Sequence, residues 1–259
     1  MEDKLDRFEV FPKESGFSEE ELIKKLKEKS KEEIIRIRDK KFSKDKKVVV
    51  GIAIVRKEDS GDSKDLRSLP FWNEKLLTEI GGEKIEACNS VLLSEDGKVI
   101  AGEVKIADPN PRDVPFIGDR LLKEIEGEKV LSTLNLRLSP DGNVLAGIVK
   151  VDKDLWYPFL GEKLFKNLHE VYRIELSPDG EMISGITSLP DGRSVPFIAD
   201  FRGEVKVLER VGKAEIKKIR EFHLLPDKKL FLSVEFSNKK KANIIWDGKE
   251  TQILRRINE

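Results

Sequence analysis

The chain has 259 residues, 38% of them charged and split 49 basic against 49 acidic, so its net charge is zero. That balance disfavours a globally basic nucleic-acid protein and an acidic solvating tail. It fits a surface laced with ion pairs, a pattern common in proteins from hot environments. Cys88 is the single cysteine, which excludes an intrachain disulfide and a cysteine metal cluster. The start, Met1-Glu2-Asp3-Lys4, lacks the apolar segment of a signal peptide, and no apolar run is long enough to span a membrane. The expected location is the cytoplasm.

In chain order, residues 1 to 16 read as an arm with one short strand. Arg7-Phe8-Glu9-Val10-Phe11 alternates polar and apolar residues, and Pro12 ends it. Ser18 with Glu21 forms a capping box, and Phe17 with Leu22 is placed as a hydrophobic staple. Leu22, Ile23 and Leu26 then give one apolar stripe, which predicts a helix from Ser18 to Lys29. Ile34 to Lys40 reads as a strand.

A repeat follows. Ser139-Pro140-Asp141-Gly142 leads to Gly147, Ser177-Pro178-Asp179-Gly180 to Gly185, and Ser94-Glu95-Asp96-Gly97 to Gly102. Ser43-Lys44-Asp45-Lys46 leads to Gly51, and Leu225-Pro226-Asp227-Lys228 to Ser233, so the interval from first turn residue to small residue is eight in all five copies. Asp-Gly marks a tight turn, because glycine adopts positive φ without a steric cost. Asp-Lys in the first and last copies implies that those turns differ in type. Each copy has an alternating segment before the turn, such as Leu134 to Leu138. A β-branched, apolar segment follows it: Val48 to Val55, Val99 to Ile106, Val144 to Val151, Met182 to Thr187 and Leu230 to Phe236. Next comes a strand with Pro70-Phe71, Pro115-Phe116, Pro158-Phe159, Pro196-Phe197 or, in the last copy, Ile244-Ile245. A Leu-rich strand ends the unit: Leu76 to Ile80, Leu121 to Ile125, Leu164 to Leu168, Val205 to Leu208 and Ile253-Leu254.

Turn starts at 43, 94, 139, 177 and 225 give spacings of 51, 45, 38 and 48 residues. Four-stranded antiparallel units of that length are the signature of propeller blades. The expected fold is therefore all-β: a five-bladed β-propeller with four-stranded antiparallel blades and one N-terminal helix. Residues 1–30 would hold a closing strand and the helix, and residues 31–259 the propeller as one domain. The Arg7–Phe11 strand is expected to pair with the fifth unit, beside Gln252-Ile253-Leu254 or near Leu230 to Phe236.

Over residues 31 to 256 the Ser-x-Asp-Gly turn, the Gly five residues beyond, the Pro-Phe strand and the Leu-rich strand resemble degenerate bacterial and archaeal propeller repeats. They are similar to the Ser-Pro-Asp-Gly blades of the TolB-like group and to repeats whose Gly-containing strand runs into a Phe-Leu-Trp strand. The Trp that precedes the motif in TolB-like blades is replaced by Leu93, Leu138 and Leu176. The resemblance implies blade architecture and no particular activity or partner.

Phe71, Phe116, Phe159 and Phe197 recur in register and read as packing between blades. Trp72 and Trp246 follow that strand and are candidate contact residues. Lys239, Lys240 and Lys241 form a basic spot, joined in a closed ring by residues 17 to 47, where twelve basic residues meet eight acidic ones. His169 and His223 are 54 residues apart and give no metal spacing. Cys88 reads as a small buried hydrophobe. Asp59, Gly61, Asp62 and Asp65 lie in a long loop from Arg56 to Arg67 that lacks the register of a calcium loop. Asp108, Asp113, Asp152, Asp154 and Asp191 are scattered. Glu74, Asp119, Glu162, Asp200 and Asp247 recur after the Pro-Phe strand, which points to turns. No catalytic residue, cofactor or metal is assigned. The expected function is a non-enzymatic binding module or scaffold for a protein partner. The alternatives are a hydrolase acting on a glycan or phosphoester in a central funnel, and nucleic-acid binding through the basic patch.

Overall fold

The structure, a computed structural model, describes residues 18–30, 32–56, 66–107, 111–152, 155–168 and 170–257. The arm strand Arg7–Phe11, Phe17, the loop aspartates Asp59, Asp62 and Asp65, Asp108, Asp154 and His169 lie outside the described residues.

Helix α1 (Glu19–Ser30) begins where its cap predicts. Ser18 Oγ accepts the Glu21 N–H at 3.1 Å. The Glu21 carboxylate turns forward to Lys25 at 3.3 Å. Leu22 and Leu26 are buried, and the helix packs along the first sheet. Lys25 and Lys29 reach Glu74 at 3.0 and 2.5 Å, and Lys40 pairs with Glu19.

The remainder is all-β and forms six antiparallel sheets. The first holds β1 (Glu33–Phe42), β2 (Val49–Arg56), β3 (Leu66–Trp72) and β4 (Lys75–Leu76). The second holds β5 (Glu79–Ile80), β6 (Glu83–Leu93), β7 (Ile100–Ile106), β8 (Arg112–Ile117) and β9 (Arg120–Leu121). A two-stranded ribbon, β10 (Glu124–Ile125) and β11 (Glu128–Lys129), leads to the third main sheet: β12 (Ser132–Leu138), β13 (Leu145–Asp152), β14 (Leu155–Leu160) and β15 (Lys163–Leu164). The fourth holds β16 (Arg173–Leu176), β17 (Met182–Ser188), β18 (Ser194–Asp200) and β19 (Val205–Val207). The last holds β20 (Arg210–Val211), β21 (Ala214–Leu224), β22 (Leu230–Phe236), β23 (Lys241–Trp246) and β24 (Thr251–Ile257). In each main sheet the strands follow one another as a meander. The expected Leu-rich strands split in two. Leu76 pairs with Phe71 and closes the first sheet, whereas Ile80 belongs to β5, which turns back onto β6.

The repeat motif is a hydrogen-bonded device. In the third sheet Ser139 Oγ donates to Asp141 Oδ1 at 2.6 Å and accepts the Val144 N–H at 2.9 Å. Asp141 Oδ1 also accepts the Asn143 N–H at 3.1 Å. The same contacts recur at Ser43, Ser94 and Ser177, all of them buried. The fourth turn residue is left-handed in every copy, whether Gly97, Gly142 and Gly180 or Lys46 (φ 58°) and Lys228 (φ 62°). Glycine has a second reason where turns stack. A Cβ on Gly142 would meet Val99 of the preceding sheet at 2.7 Å, and one on Gly97 would meet Val48 at 2.7 Å. Backbone bonds continue the stack, from Lys44 N to Glu95 O at 2.8 Å and from Glu95 N to Pro140 O at 2.9 Å.

The first turn, Lys46 included, bonds like the three Gly copies, so its type does not differ. The fifth does. Its first residue is Leu225, which has no hydroxyl to hold the strand start, and Leu225 N bonds Lys229 O where Ser177 N bonds Met182 O. The strands consequently close one residue earlier, pairing Leu224 with Leu230 where the fourth sheet pairs Leu176 with Ile183. Leu232, not Ser233, then takes the place of Gly185, and Ile244 that of Phe197.

Sheets pack face to face in chain order. Ala146, Ile148 and Leu160 of the third sheet share a core with Ile183, Phe197 and Ala199 of the fourth. Met182 and Ile198, on the opposite face of the fourth, pack with Leu232, Ile244 and Trp246 of the last. The interior strand β2 is buried from Val49 to Ala53 on both faces. By contrast β22 alternates buried and half-buried residues along its length.

Candidate functional site: the open face and edge of the last sheet

Strand alternation gives the last sheet two unlike faces. Leu230, Leu232, Val234 and Phe236 point to the fourth sheet and are buried. Phe231, Ser233 and Glu235 point away and are half-buried. On β23 their partners Ile245, Asn243 and Lys241 share that open face. His223 joins it from β21, opposite Phe231, with ring centroids 6.4 Å apart. Arg220 ties Glu235 at 2.6 Å. Asn243 Oδ1 is buried among these groups with no hydrogen-bond partner. An orphaned acceptor of this kind costs free energy that an incoming donor would recover.

Among the described residues the edge is open too: β24 has one strand neighbour, β23. It carries Ile253 at 42% and Leu254 at 47% exposure, beside exposed Arg255 and Arg256. A groove of about 330 Å³ runs along its inner side. Phe236, Ala242 and Ile253 line it, and Lys240, Lys241 and Arg256 rim it.

The other sequence candidates fall as follows. Trp246 is buried at 3% exposure against the fourth sheet, so it is core and presents no contact surface. Trp72 is half-buried on the first sheet. Lys239 holds the left-handed position (φ 66°) of the β22–β23 turn, and Lys240 and Lys241 lead from it into the groove. The structure thus brings the lysine run to the site together with Arg256. Much of the basic surplus of α1 and β1 is paired locally with Glu19, Glu74 and Glu95.

The Phe71, Phe116, Phe159 and Phe197 rings are fully buried, as interior packing requires. Cys88 is buried, and burial pushes its thiol up to about 12. His223 is exposed, with Nδ1 3.9 Å from Glu175 Oε1. Asp200 Oδ1 accepts Arg202 and Glu204 N–H groups, and Asp247 Oδ1 accepts those of Lys249 and Glu250, so both build turns. Glu74 instead anchors α1, and Glu162 pairs with Arg120 of the second sheet. Asp113 accepts from Asn89, and Asp191 binds Arg193. Carboxylates lodged between sheets are also engaged. Glu103 takes Asn89 at 2.6 Å and the Thr133 hydroxyl, while Glu175 accepts the Leu224 N–H at 2.6 Å. Among the described residues no group of three or more His, Cys, Asp or Glu is placed to hold a metal ion. No described helix is long and apolar enough to cross a membrane.

The open terminal sheet escapes sequence reasoning because its signal resembles ordinary register. Polar residues at 233, 235, 241 and 243 alternate with apolar ones, but so do Glu103 and Lys105 on β7, so the alternation does not single out the last sheet.

Fold and site together define an all-β repeat protein whose last sheet, among the described residues, is open on one face and one edge. No protein-family model matches the sequence. No curated protein matches it either. Among solved structures the chain is similar to the putative TolB from Agrobacterium tumefaciens, at 14% identity over 85% of this chain and 81% of that one, with a TM-score of 0.43. It is similar to TolB from Acinetobacter baumannii at 18% identity, covering 86% of this chain and 55% of that one, with a TM-score of 0.37. A Pyrococcus horikoshii acylaminoacyl peptidase matches at 16% identity over 86% of this chain and 38% of that one, with a TM-score of 0.45. The chain thus spans about half of the Acinetobacter TolB and less of the peptidase. These likenesses are distant and carry no activity or partner across.

Proposed function

We propose that the chain is a five-bladed propeller acting as a non-enzymatic binding module, and that a protein partner docks on the open face of its last sheet. The five main sheets serve as the blades. The observation that carries the reading is this face: two apolar side chains and an orphaned carboxamide oxygen stand where the other sheets are covered on both sides. Aromatic and aliphatic anchors rimmed by polar groups are the usual core of a protein interface. The hydrolase reading is disfavoured because the inter-sheet carboxylates Glu103 and Glu175 already hold neighbouring sheets together.

Capture from the native cell tests the proposal, comparing the wild type with Phe231→Glu/Ile245→Glu. A protein retained by the wild type and lost by a folded variant supports it. An unchanged set of retained proteins contradicts it. A glycan or phosphoester turnover abolished by Glu103→Gln or Glu175→Gln would replace it with the hydrolase reading.

A further inference from the structure

We propose that the edge of β24 and the groove beside it take an extended acidic segment of another protein, added as a further strand. The groove lies on the opposite face of the last sheet from Phe231 and Ile245, so this is a second site, separate from the open face.

Three observations point to this occupant. First, β24 is long for a closing strand. Its counterparts β4, β9, β15 and β19 have two or three residues each, whereas β24 has seven. Edge strands are ordinarily kept short, because their unpaired backbone groups invite another chain, and a segment added there gains main-chain hydrogen bonds. Second, the edge carries its own pocket. Ile253 pairs with Ile244 and Arg256 with Ala242, with one extra residue between, so Ile253 and Arg256 share the face turned to the fourth sheet. There Val211, Phe236 and Ala242 floor the groove and Lys240 rims it. An apolar side chain of an added strand fits that floor, and its neighbouring carboxylates meet the rim. Third, charge is segregated. Residues 210–257 hold thirteen basic residues against six acidic, a surplus of seven in a chain whose total is zero. Among the described residues Lys239, Lys240, Arg255 and Arg256 pair with no carboxylate, whereas Arg210 and Arg220 pair with Glu215 and Glu235. A second copy of this edge would set Arg255 and Arg256 against like charges, which disfavours it. A single-stranded nucleic acid needs aromatic faces for its bases, and Phe236, the aromatic residue of the groove, is buried.

The test titrates the full chain into a dye-labelled peptide alternating glutamate and valine and reads fluorescence anisotropy. One control is the same peptide N-methylated throughout, which keeps the charges and removes the strand-pairing donors. The other is a labelled oligothymidine. The expected result is saturable binding of the plain peptide, weakened about tenfold or more by N-methylation, which removes the main-chain bonds. Lys240→Glu/Arg256→Glu, checked by its melting temperature, should weaken the plain peptide about tenfold as well. The N-methylated comparison decides the matter even if that variant fails to fold. Phe231→Glu/Ile245→Glu should bind the peptide as the wild type does, so failure at the open face and failure at the edge are read separately. Equal binding of the plain and N-methylated peptides shows charge attraction without strand addition and overturns the proposal. Tighter binding of the oligothymidine assigns the cations to nucleic acid and overturns it. Absence of peptide binding means that the edge is covered by this chain or by a second copy, and also overturns it.

Discussion

The ring of Phe159 closes on Gly147, its cross-strand partner: a Cβ on Gly147 would stand 2.6 Å from the ring's Cε1 and 2.6 Å from Leu136 Cδ2. The same pairing joins Phe71 to Gly51, Phe116 to Gly102 and Phe197 to Gly185. A glycine in a strand is ordinarily a weakness, but here its missing side chain is the space the ring occupies.

Gly147→Ala should therefore destabilise the protein by about 1–3 kcal/mol in chemical denaturation, the usual cost of overpacking. Gly185→Ala should cost more. Its Cβ would meet the Arg173 carbonyl oxygen at 2.3 Å, and backbone yields less readily than a side chain. Combining Gly147→Ala with Phe159→Leu should cost less than the sum of the two, since the smaller side chain vacates the contested space. Strict additivity would show that ring and glycine do not interact.

Ser139→Ala removes a hydroxyl that bonds both Asp141 and the Val144 N–H in a buried turn. Leaving that N–H without a partner should cost about 1–3 kcal/mol. Ser139→Thr keeps the hydroxyl but adds a methyl where the next turn's Gly180 packs, with its Cβ position 3.4 Å from Ser139 Cβ. It should recover only part of the loss. Thermal melts of the two variants check the order.

The turn carboxylates make the protein acid-sensitive within a defined window. Lys98, through its N–H and side chain, and the Ser94 hydroxyl hold Asp96 down to about 2. Burial alone would raise Asp179, but Lys228, the Ser177 hydroxyl and the Glu181 N–H outweigh it and hold it at about 2. Asp45 and Asp141 are lowered by their serine hydroxyls first. Each folded pKa lies below the ordinary aspartate value of about 3.9. The contribution of Asp96 and Asp179 is thus present above about pH 4 and is lost as pH falls through about 2, and the lowered Asp45 and Asp141 act in the same direction. The melting temperature should drop across that interval. Asp179→Asn should start lower at neutral pH and fall less steeply. Parallel curves for variant and wild type would contradict the assignment.

Much of this architecture is legible in the sequence because its chemistry is local. The Ser-x-Asp-Gly turn needs only residues within five positions of one another, so its copies and the strands around them announce themselves. The fifth unit shows where such reading fails. Counting eight residues from Leu225 lands on Ser233, but without the serine hydroxyl the turn closes one residue early and Leu232 becomes the equivalent position. That single step exchanges the faces assigned to β22 and β23, so Trp246 reads as exposed and the open row through Phe231 and Ile245 stays hidden. The final strands mislead for a related reason. Leu76 and Ile80 lie on one apolar run, yet β5 pairs with a different sheet from β4, a choice made by long-range packing.

The central claim is that the open face of the last sheet binds protein. Calorimetric titration of the captured partner into wild type and into Phe231→Glu/Ile245→Glu tests it most directly, with equal melting temperatures showing that both are folded. Loss of central apolar anchors from an interface typically costs about 2 kcal/mol or more, so affinity should fall by about thirtyfold or beyond. An affinity unchanged within about twofold to threefold would place the partner elsewhere and contradict the account.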